Sequence, residues 1–369
     1  MTTLGAVSAA VRIVSGNREV RFAGAKRFVL ACGGLETVRL LLHVQARHPD
    51  LLGKAEGPLG RYYMGHVSGK VARIRFRSPQ MANLFAYGVS DSGGVYRRRI
   101  CFTASLLRRE RLPDVIFYPD NPMLGDPTHR SGLLSALFLA LSTPVIGKRL
   151  ISEAILRSQM TDRPRYLEHL RNVIVDAPST VGHLADVLHQ KFVLHRTKPF
   201  VFLQSKSGEY PLHYHAEHLP SADSRVRLTE ARDATGLRRL RVDLRFSRAD
   251  AEGVARAHDR LAAALSKGGL ADLVFGVSRE KVEDAIVECA GDGIHQIGLA
   301  RMASDPRDGA VDRDCKVFGI DNLFLAGSAV FRTSGHANPT FTAVALGLRL
   351  ADHLTAMAAA TGKVTGVAL

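Results

Sequence analysis

Near the start of the chain, the pattern of apolar and polar positions predicts a buried strand, a tight turn and an amphipathic helix. The apolar run from Phe28 to Cys32 has the length of a buried strand, and Gly33 and Gly34 follow it directly. The next apolar residues recur with the period of a helix, at Leu35, Val38, Leu41 and Leu42. Because strand, glycine turn and helix in this order build a parallel α/β layer, we expect such a layer here. Residues 11–22 alternate and predict a hairpin before it.

The middle of the chain, residues 61–285, has a pattern of strands mixed with helices instead of a regular strand–helix repeat. An alternating stretch within 61–76 and another at 240–246 predict strands, and an apolar run at 200–204 predicts a third. Residues 248–267 have the period of an amphipathic helix. This mixture indicates an α+β region and not a second parallel layer.

The most apolar stretch of the middle region is 133–146. It is shorter than 18 residues and contains Pro144, so we expect a core or lid helix and not a membrane span.

The C-terminal region combines a strand, a turn and a long apolar segment. The run 323–326 ends at Gly327 and Ser328, as a buried strand does when it stops at a turn that faces a ligand. Asn338 and Pro339 then open an apolar segment almost without charge, which predicts a helix with Asn338 as its cap and Pro339 as its first residue. We expect this helix to be buried on most of its surface, with its first N–H groups facing an electron-rich group.

Composition narrows the function classes only a little. The 369 residues are 46% hydrophobic, which is enough for two domains or for one domain with a large insertion. The net charge is +15, but the basic residues are scattered without a nucleic-acid-binding motif, so we expect no nucleic-acid partner. No secretory signal is evident, and a cytoplasmic location is expected by default. The four cysteines show neither metal-binding spacing nor the density of a disulfide framework: Cys32, Cys101, Cys289 and Cys315.

Histidines are the candidate metal-binding residues of the middle region. His66 follows an aromatic-rich stretch and is either a ligand-contacting residue or, more often for a lone histidine, a hydrogen-bonded structural one. His213, His215 and His218 lie close together, but a strand would place the first two on one face and His218 on the other. Because no cysteine or carboxylate completes a tetrahedral set, we predict no metal site.

Five segments in order resemble the glucose-methanol-choline (GMC) oxidoreductases, which are FAD-dependent flavoenzymes. The similarity is to the bacterial branch of sugar, polyol and alcohol dehydrogenases, and it runs from about residue 20 to 355. The segments are FVLACGGLETVRLLL, LGRYYMGH, HAEHLPSADSRVRLTEARDATGLRRLRVDLRF, HQIGLARM and DNLFLAGSAVFRTSGHANPTFTAVALGLRLADHL.

The resemblance implies an α/β fold, in which the inserted domain makes the overall arrangement α+β. An incomplete FAD-binding Rossmann-like layer would carry an inserted substrate domain of antiparallel sheet and helices. Residues 1–60 would be a remnant of the FAD-binding domain, and 61–285 the substrate-binding domain with a helical lid near 130–175. Residues 286–369 would return to the FAD domain with the catalytic motif.

The implied activity is FAD-dependent oxidation of an alcohol by proton abstraction and hydride transfer to flavin N5. His295 matches the family base and Asn338 the residue that holds the substrate oxygen. The chemistry agrees, since an alkoxide releases hydride more readily than an alcohol and a histidine titrates near neutral pH. His336 lies where related sequences carry a small residue, so its role stays open.

The implied FAD contacts lie in three turns. Ala326 stands where some members have aspartate, so the polar contact from that position stays an open question. The matching positions are Ala31, Cys32, Gly33, Ala326, Gly327, Ser328, Pro339 and Thr340.

The family's phosphate-binding GxGxxG is not found before the first strand. We therefore expect weak or absent FAD binding by the chain alone, and exposed strand edges and apolar surface in its FAD layer. The chain would be a truncated reading frame, or an upstream subunit would supply the missing segment. Two alternative functions stay open. The chain could be a fragment without independent activity, or a basic binding module that uses the family fold. The sequence does not identify the alcohol or the electron acceptor.

Overall fold

The structure, a computed structural model, describes residues 10–14, 20–53, 56–143, 160, 164–193, 202–203, 205 and 208–360. The strands are β1 Ala10–Val14, β2 Val20–Gly24, β3 Phe28–Leu30, β4 Arg61–Met64, β5 His66–Phe76, β6 Tyr87–Val89, β7 Val95–Arg97, β8 Ile100–Cys101, β9 Val115–Pro119, β10 Glu209–Glu217, β11 Arg225–Arg232, β12 Arg238–Asp243, β13 Ala271–Phe275, β14 Ile297–Leu299 and β15 Leu323–Leu325. The α-helices are α1 Gly34–Arg47, α2 Pro79–Asn83, α3 Ala104–Glu110, α4 Gly132–Leu141, α5 Tyr166–Val175, α6 Ala177–Phe192, α7 Arg248–Lys267, α8 Val282–Cys289 and α9 Thr340–Ala360.

A five-stranded antiparallel sheet forms the centre of the middle region, in the order β13-β5-β10-β9-β8. Helices α7 and α8 pack on it, and their apolar side chains join those of the sheet in one core, which we call the larger core. Ser247 caps α7 through a capping box with Asp250, so the helix begins where the amphipathic period begins. The predicted helix over 248–267 is confirmed.

Two smaller sheets lie beside the five-stranded sheet. One has four strands in the order β12-β11-β4-β14, and the other is a parallel pair of β15 and β3. Helix α1 buries Val38 and Leu41 in a core that also includes Phe28 of β3 and Phe324 of β15. The strand–turn–helix unit is therefore confirmed, as are the N-terminal hairpin of β1 with β2 and the mixed α/β class.

Two predictions of local structure are wrong. Phe202 and Leu203 lie in no strand, and the other residues of the predicted strand 200–204 are outside the described part. The Leu203 N–H donates to Asn121 Oδ1 at 3.0 Å, so this amide bonds a side chain instead of a neighbouring strand. The predicted helix at 133–146 is observed as α4, which ends at Leu141; residues 144–146 are also outside the described part.

Helix α9 is the second error, because it is largely exposed and not buried. Leu350 is buried, whereas Phe341 is 85%, Val344 58% and Leu348 64% exposed. The helix contacts the α1 core along one side only, and no described element covers the other side. By length and composition α9 is the one described helix that could cross a bilayer, with 6% of that stretch buried. A single such helix is weak evidence for a span, since helices of soluble cores have the same properties.

Candidate active site

Three histidines from distant parts of the chain meet at the start of β5. His66 is the first residue of β5, His215 lies in the neighbouring strand β10, and His295 lies in the loop before β14. The antiparallel pairing of β5 with β10 brings the ring centroids of His66 and His215 to 4.1 Å. The His295 ring meets the His66 ring edge-on, with the centroids 4.8 Å apart. We call these three residues the histidine cluster.

The loop that carries His295 is held against β5 by the backbone. The His66 N–H donates to the Asp292 carbonyl oxygen at 2.9 Å. Gly293 follows with φ +68°, and a Cβ built on it would lie 2.6 Å from His215 Nε2. Because any side chain at 293 would strike the cluster, glycine is required here for both conformation and space.

The cluster histidines are uncharged at neutral pH. His66 is 0% and His215 8% exposed, and His295 is half-buried. Burial lowers the pKa of His66 to about 4 and that of His215 to about 3, and the neighbouring imidazoles act in the same direction. Burial also lowers the pKa of His295, although the Asp292 carboxylate opposes this. Each ring therefore has a nitrogen lone pair at pH 7.

The segment 334–336 packs against the cluster. His66 Nδ1 donates to the Gly335 carbonyl oxygen at 3.0 Å, and the His218 N–H donates to Ser334 Oγ at 2.8 Å. His66 thus contacts both His295 and the chain that leads into α9.

His336 anchors the same segment. Its backbone N–H donates to Asp114 Oδ2 at 3.1 Å, and its Nδ1 donates to Asp114 Oδ1 at 2.7 Å. The hydrogen bond from the His336 side chain lowers the pKa of the Asp114 carboxyl. Asn338, two residues further on, is exposed. These two hydrogen bonds to Asp114 therefore hold in place the stretch of chain that carries Asn338.

The glycine turns predicted to contact a cofactor lie side by side. Strands β3 and β15 run parallel, and the Ala326 N–H donates to the Leu30 carbonyl oxygen at 2.9 Å where the two strands end. Gly33 has φ +83° and Gly327 has φ +127°, and nothing lies within 4 Å of a Cβ built on either. Both turns therefore face open space at the carboxyl ends of parallel strands, where α/β sheets bind ligands.

Gln296 joins the two turns to the histidine cluster. Its Oε1 accepts a hydrogen bond from the Leu35 N–H at 3.3 Å, and its carbonyl oxygen accepts one from Ser328 Oγ at 2.5 Å. A Cβ on Gly34 would lie 2.8 Å from the Gln296 carbonyl oxygen, so the start of α1 approaches Gln296 closely. Since Gln296 follows His295 directly, both turns adjoin the cluster.

The start of α1 is open to an anionic group. No side chain caps this helix at Gly33, and Ala31, Cys32 and Gly33 are all exposed. The Cys32 N–H donates to Thr37 Oγ1 at 3.1 Å, which shapes the turn. Gln296 Oε1 takes up one N–H of this first turn, that of Leu35, and the positive end of the helix dipole still favours negative charge nearby.

The start of α9 differs from the prediction by one residue. The Ala343 N–H donates to the Pro339 carbonyl oxygen at 2.8 Å, and the helix begins at Thr340. Pro339, which is buried, is therefore the capping residue and Asn338 precedes it. This frees the Asn338 side chain from the capping role that the sequence pattern suggested.

Sequence reasoning missed His215 and Gln296 as members of this site. It grouped His215 with His213 and His218, but these two bond elsewhere. The His218 Nε2 donates to the Arg245 carbonyl oxygen at 2.8 Å, and His213 Nε2 lies 2.8 Å from Ser68 Oγ. Only the register of β5 against β10 selects His215, and no local sequence signal carries that register.

Comparison with known proteins finds several similar sequences and structures. A family model described as GMC oxidoreductase matches residues 220–347. The C-glycoside 3-oxidase of Arthrobacter globiformis is 31% identical over 33% of this chain and 23% of its own length. The 2-methyl-1,2-propanediol dehydrogenase of Mycolicibacterium austroafricanum is 27% identical over 90% of this chain and 48% of its own length. The crystal structure of pyridoxine 4-oxidase from Mesorbium loti overlaps with a TM-score of 0.49 at 16% identity, over 96% of this chain and 56% of that chain.

The family model covers about a third of the chain, and over residues 220–347 it confirms the predicted resemblance to the GMC oxidoreductases. The chain spans at most about half the length of these two curated relatives.

Proposed function

We propose that the histidine cluster and the two glycine turns form the active site of an FAD-dependent oxidation of an alcohol. The observation that carries this proposal is the link through Gln296, which places His295 next to both turns at the ends of β3 and β15. A base and an open cradle for an anionic, flat cofactor then share one edge of the molecule.

The residues present fit FAD at this edge. The open space at Gly33 and Gly327 leaves room for a bulky group, and the N-terminal end of the α1 dipole favours its negative charge. Ala31, Cys32 and Gly33 would contact one part of FAD. The rest of FAD would contact a second set of residues: Ala326, Gly327, Ser328, Pro339 and Thr340. When bound, FAD supplies the acceptor for a hydride.

His295 would take the proton of the substrate hydroxyl group. Its lowered pKa leaves the imidazole neutral at pH 7, so a lone pair is available for the proton. Asn338 would donate a hydrogen bond to the same substrate oxygen and orient it, because its side chain is exposed and takes no capping role. His66 would help to position both residues, since its ring meets the His295 ring and its Nδ1 donates to the carbonyl oxygen of Gly335, in the stretch that leads to Asn338.

We propose a sugar or a small polyol as the substrate. The relatives named above act on a C-glycoside and on a diol, as their names state. Such substrates carry several hydroxyl groups and so suit a site with many polar side chains.

The test supplies the full chain with excess FAD under anaerobic conditions and adds sugars and polyols one at a time. The proposal predicts that the oxidised-flavin absorbance, near about 450 nm, falls only when the chain and an alcohol are both present. No alcohol-dependent decrease, with a folded chain and bound flavin, would contradict it.

A second candidate is favoured by the exposed surface near the turns. Phe341 and Leu348 on α9 and Val29 in β3 are exposed, and apolar patches of this kind mark sites of interaction. In this candidate the chain acts with another polypeptide that covers this face and carries a phosphate-binding glycine turn.

The two candidates differ in flavin retention. If a partner is needed, gel filtration of the chain with FAD leaves well under one flavin per chain, since the open turns alone hold it weakly. One flavin retained per chain would remove the need for a partner.

A further inference from the structure

Two nitrogens of the histidine cluster are buried without a hydrogen-bond partner among the described residues. They are His66 Nε2 and His295 Nδ1. Leaving a buried polar atom unpaired costs about 1–3 kcal/mol, and native proteins rarely do so without a reason. Their position together in one cluster calls for a shared occupant.

The His66 ring is already set in one tautomer. Because Nδ1 donates its hydrogen to the Gly335 carbonyl oxygen, Nε2 has a lone pair and no hydrogen. A histidine that donates one ring N–H to a backbone carbonyl while its other nitrogen stays free has the arrangement usual for metal-ligating histidines. His66 is also completely buried, so no bulk water pairs its free nitrogen in this structure.

We propose that His66, His215 and His295 bind one divalent transition-metal ion, with Zn²⁺ as the best-suited ion. One ligand atom from each residue lies within 4.8 Å of the others. Three nitrogens around Zn²⁺, each about 2.0 Å from it, are about 3.3 Å apart. Inward movement of the rings by roughly 1 Å closes the difference, and a fourth position stays open for water.

The other histidines of β10 do not offer such a site. His218 has both ring nitrogens in hydrogen bonds, to the Gly65 N–H and the Arg245 carbonyl oxygen. His213 faces Asp120, but Lys70 Nζ already occupies that carboxylate at 2.8 Å. Three neutral ring nitrogens are the ligands that Zn²⁺, Co²⁺ and Ni²⁺ prefer, and only the histidine cluster brings three together in the described part of the chain.

The metal site goes beyond the proposed function. While a metal ion is bound there, the proposed alcohol oxidation cannot take place. An ion on His295 takes up a lone pair of the ring that would accept the substrate proton. The metal-bound chain is therefore an inhibited form of the proposed enzyme. Metal binding is measurable without flavin or alcohol, so failure of either proposal is seen separately.

The experiment titrates the untagged full chain, without FAD, with Co²⁺ and follows visible absorption, then displaces Co²⁺ with Zn²⁺. We expect one Co²⁺ per chain, with the intense bands of a low-symmetry nitrogen site that Zn²⁺ abolishes. His66→Asn keeps an N–H for the Gly335 carbonyl oxygen and removes the ligand nitrogen. This variant and His215→Asn should each weaken binding by at least about 100-fold.

The matched control is His213→Gln, a substitution on the same strand that leaves the cluster intact. It should bind Co²⁺ as the parent does. Circular dichroism and thermal unfolding confirm that each variant is folded. Absence of binding by the parent chain, or binding that His66→Asn and His215→Asn leave unchanged, overturns the proposal. Equal loss in His213→Gln also overturns it, because the site would then not be specific to the cluster.

Discussion

Helices α7 and α9 have nearly the same length but opposite surroundings. The 20 residues of α7 bury nine side chains or glycines, including Val254, His258, Leu261 and Leu265, against the five-stranded sheet. The 21 residues of α9 bury only Leu350 among the described residues. The α7 side of the molecule is therefore closed, whereas the α9 side is open.

The difference separates the two halves of the proposed site. The histidine cluster and the 334–336 segment are held by hydrogen bonds from several elements, so the substrate side is preorganised. The glycine turns lie on a two-stranded sheet beside the exposed face of α9. In the proposed function, the catalytic residues would therefore lie on the closed side, and retention of FAD would depend on the open side.

A matched pair of leucine substitutions measures this contrast. Leu261→Ala on α7 removes a side chain that is 2% exposed, so it should lower the free energy of unfolding by about 2–5 kcal/mol. Leu348→Ala on α9 removes one that is 64% exposed and should change it by at most about 0.5 kcal/mol. Urea unfolding of both variants checks the prediction, and a large loss from Leu348→Ala would show that α9 is covered in solution.

The closed side also predicts a pH dependence of stability. His258 is completely buried against Phe117 and Tyr214, and burial lowers its pKa to about 4. Below pH about 6.5 the unfolded chain binds a proton that the folded chain refuses, so stability falls as the pH drops towards 4.

The size of this effect is on the order of 2–3 kcal/mol between pH 7 and 4.5. Urea unfolding at several pH values should show a shallower decline in His258→Phe than in the parent chain. Parallel curves for the two proteins would mean that His258 is protonated in the folded state and that the larger core is less closed than its burial indicates.

The local sequence pattern predicted many of the helices and strands, but it did not predict which of them are exposed to solvent. The strand–turn–helix unit at Phe28 and helix α7 follow from periodicity and capping, which are local properties. The burial of α9 was wrong, because an apolar sequence does not state which neighbours are present to cover it. The prediction of exposed apolar surface in the FAD layer agrees with Phe341 and Val29.

The site was predictable only in part for a similar reason. His295, Asn338 and the glycine turns stand in motifs that can be recognised along the chain. His215 and Asp114 enter through strand register and long-range contact, and their sequence neighbourhoods carry no signal for it.

The central claim is that His295 acts as the base of an alcohol oxidation, and the most direct measurement compares two histidine variants in a flavin-loaded preparation. His295→Ala should lower the rate of alcohol-dependent flavin reduction by about 100-fold or more. His48→Ala, at the exposed far end of α1, should leave the rate unchanged. Equal rates in His295→Ala and the parent chain would contradict the account.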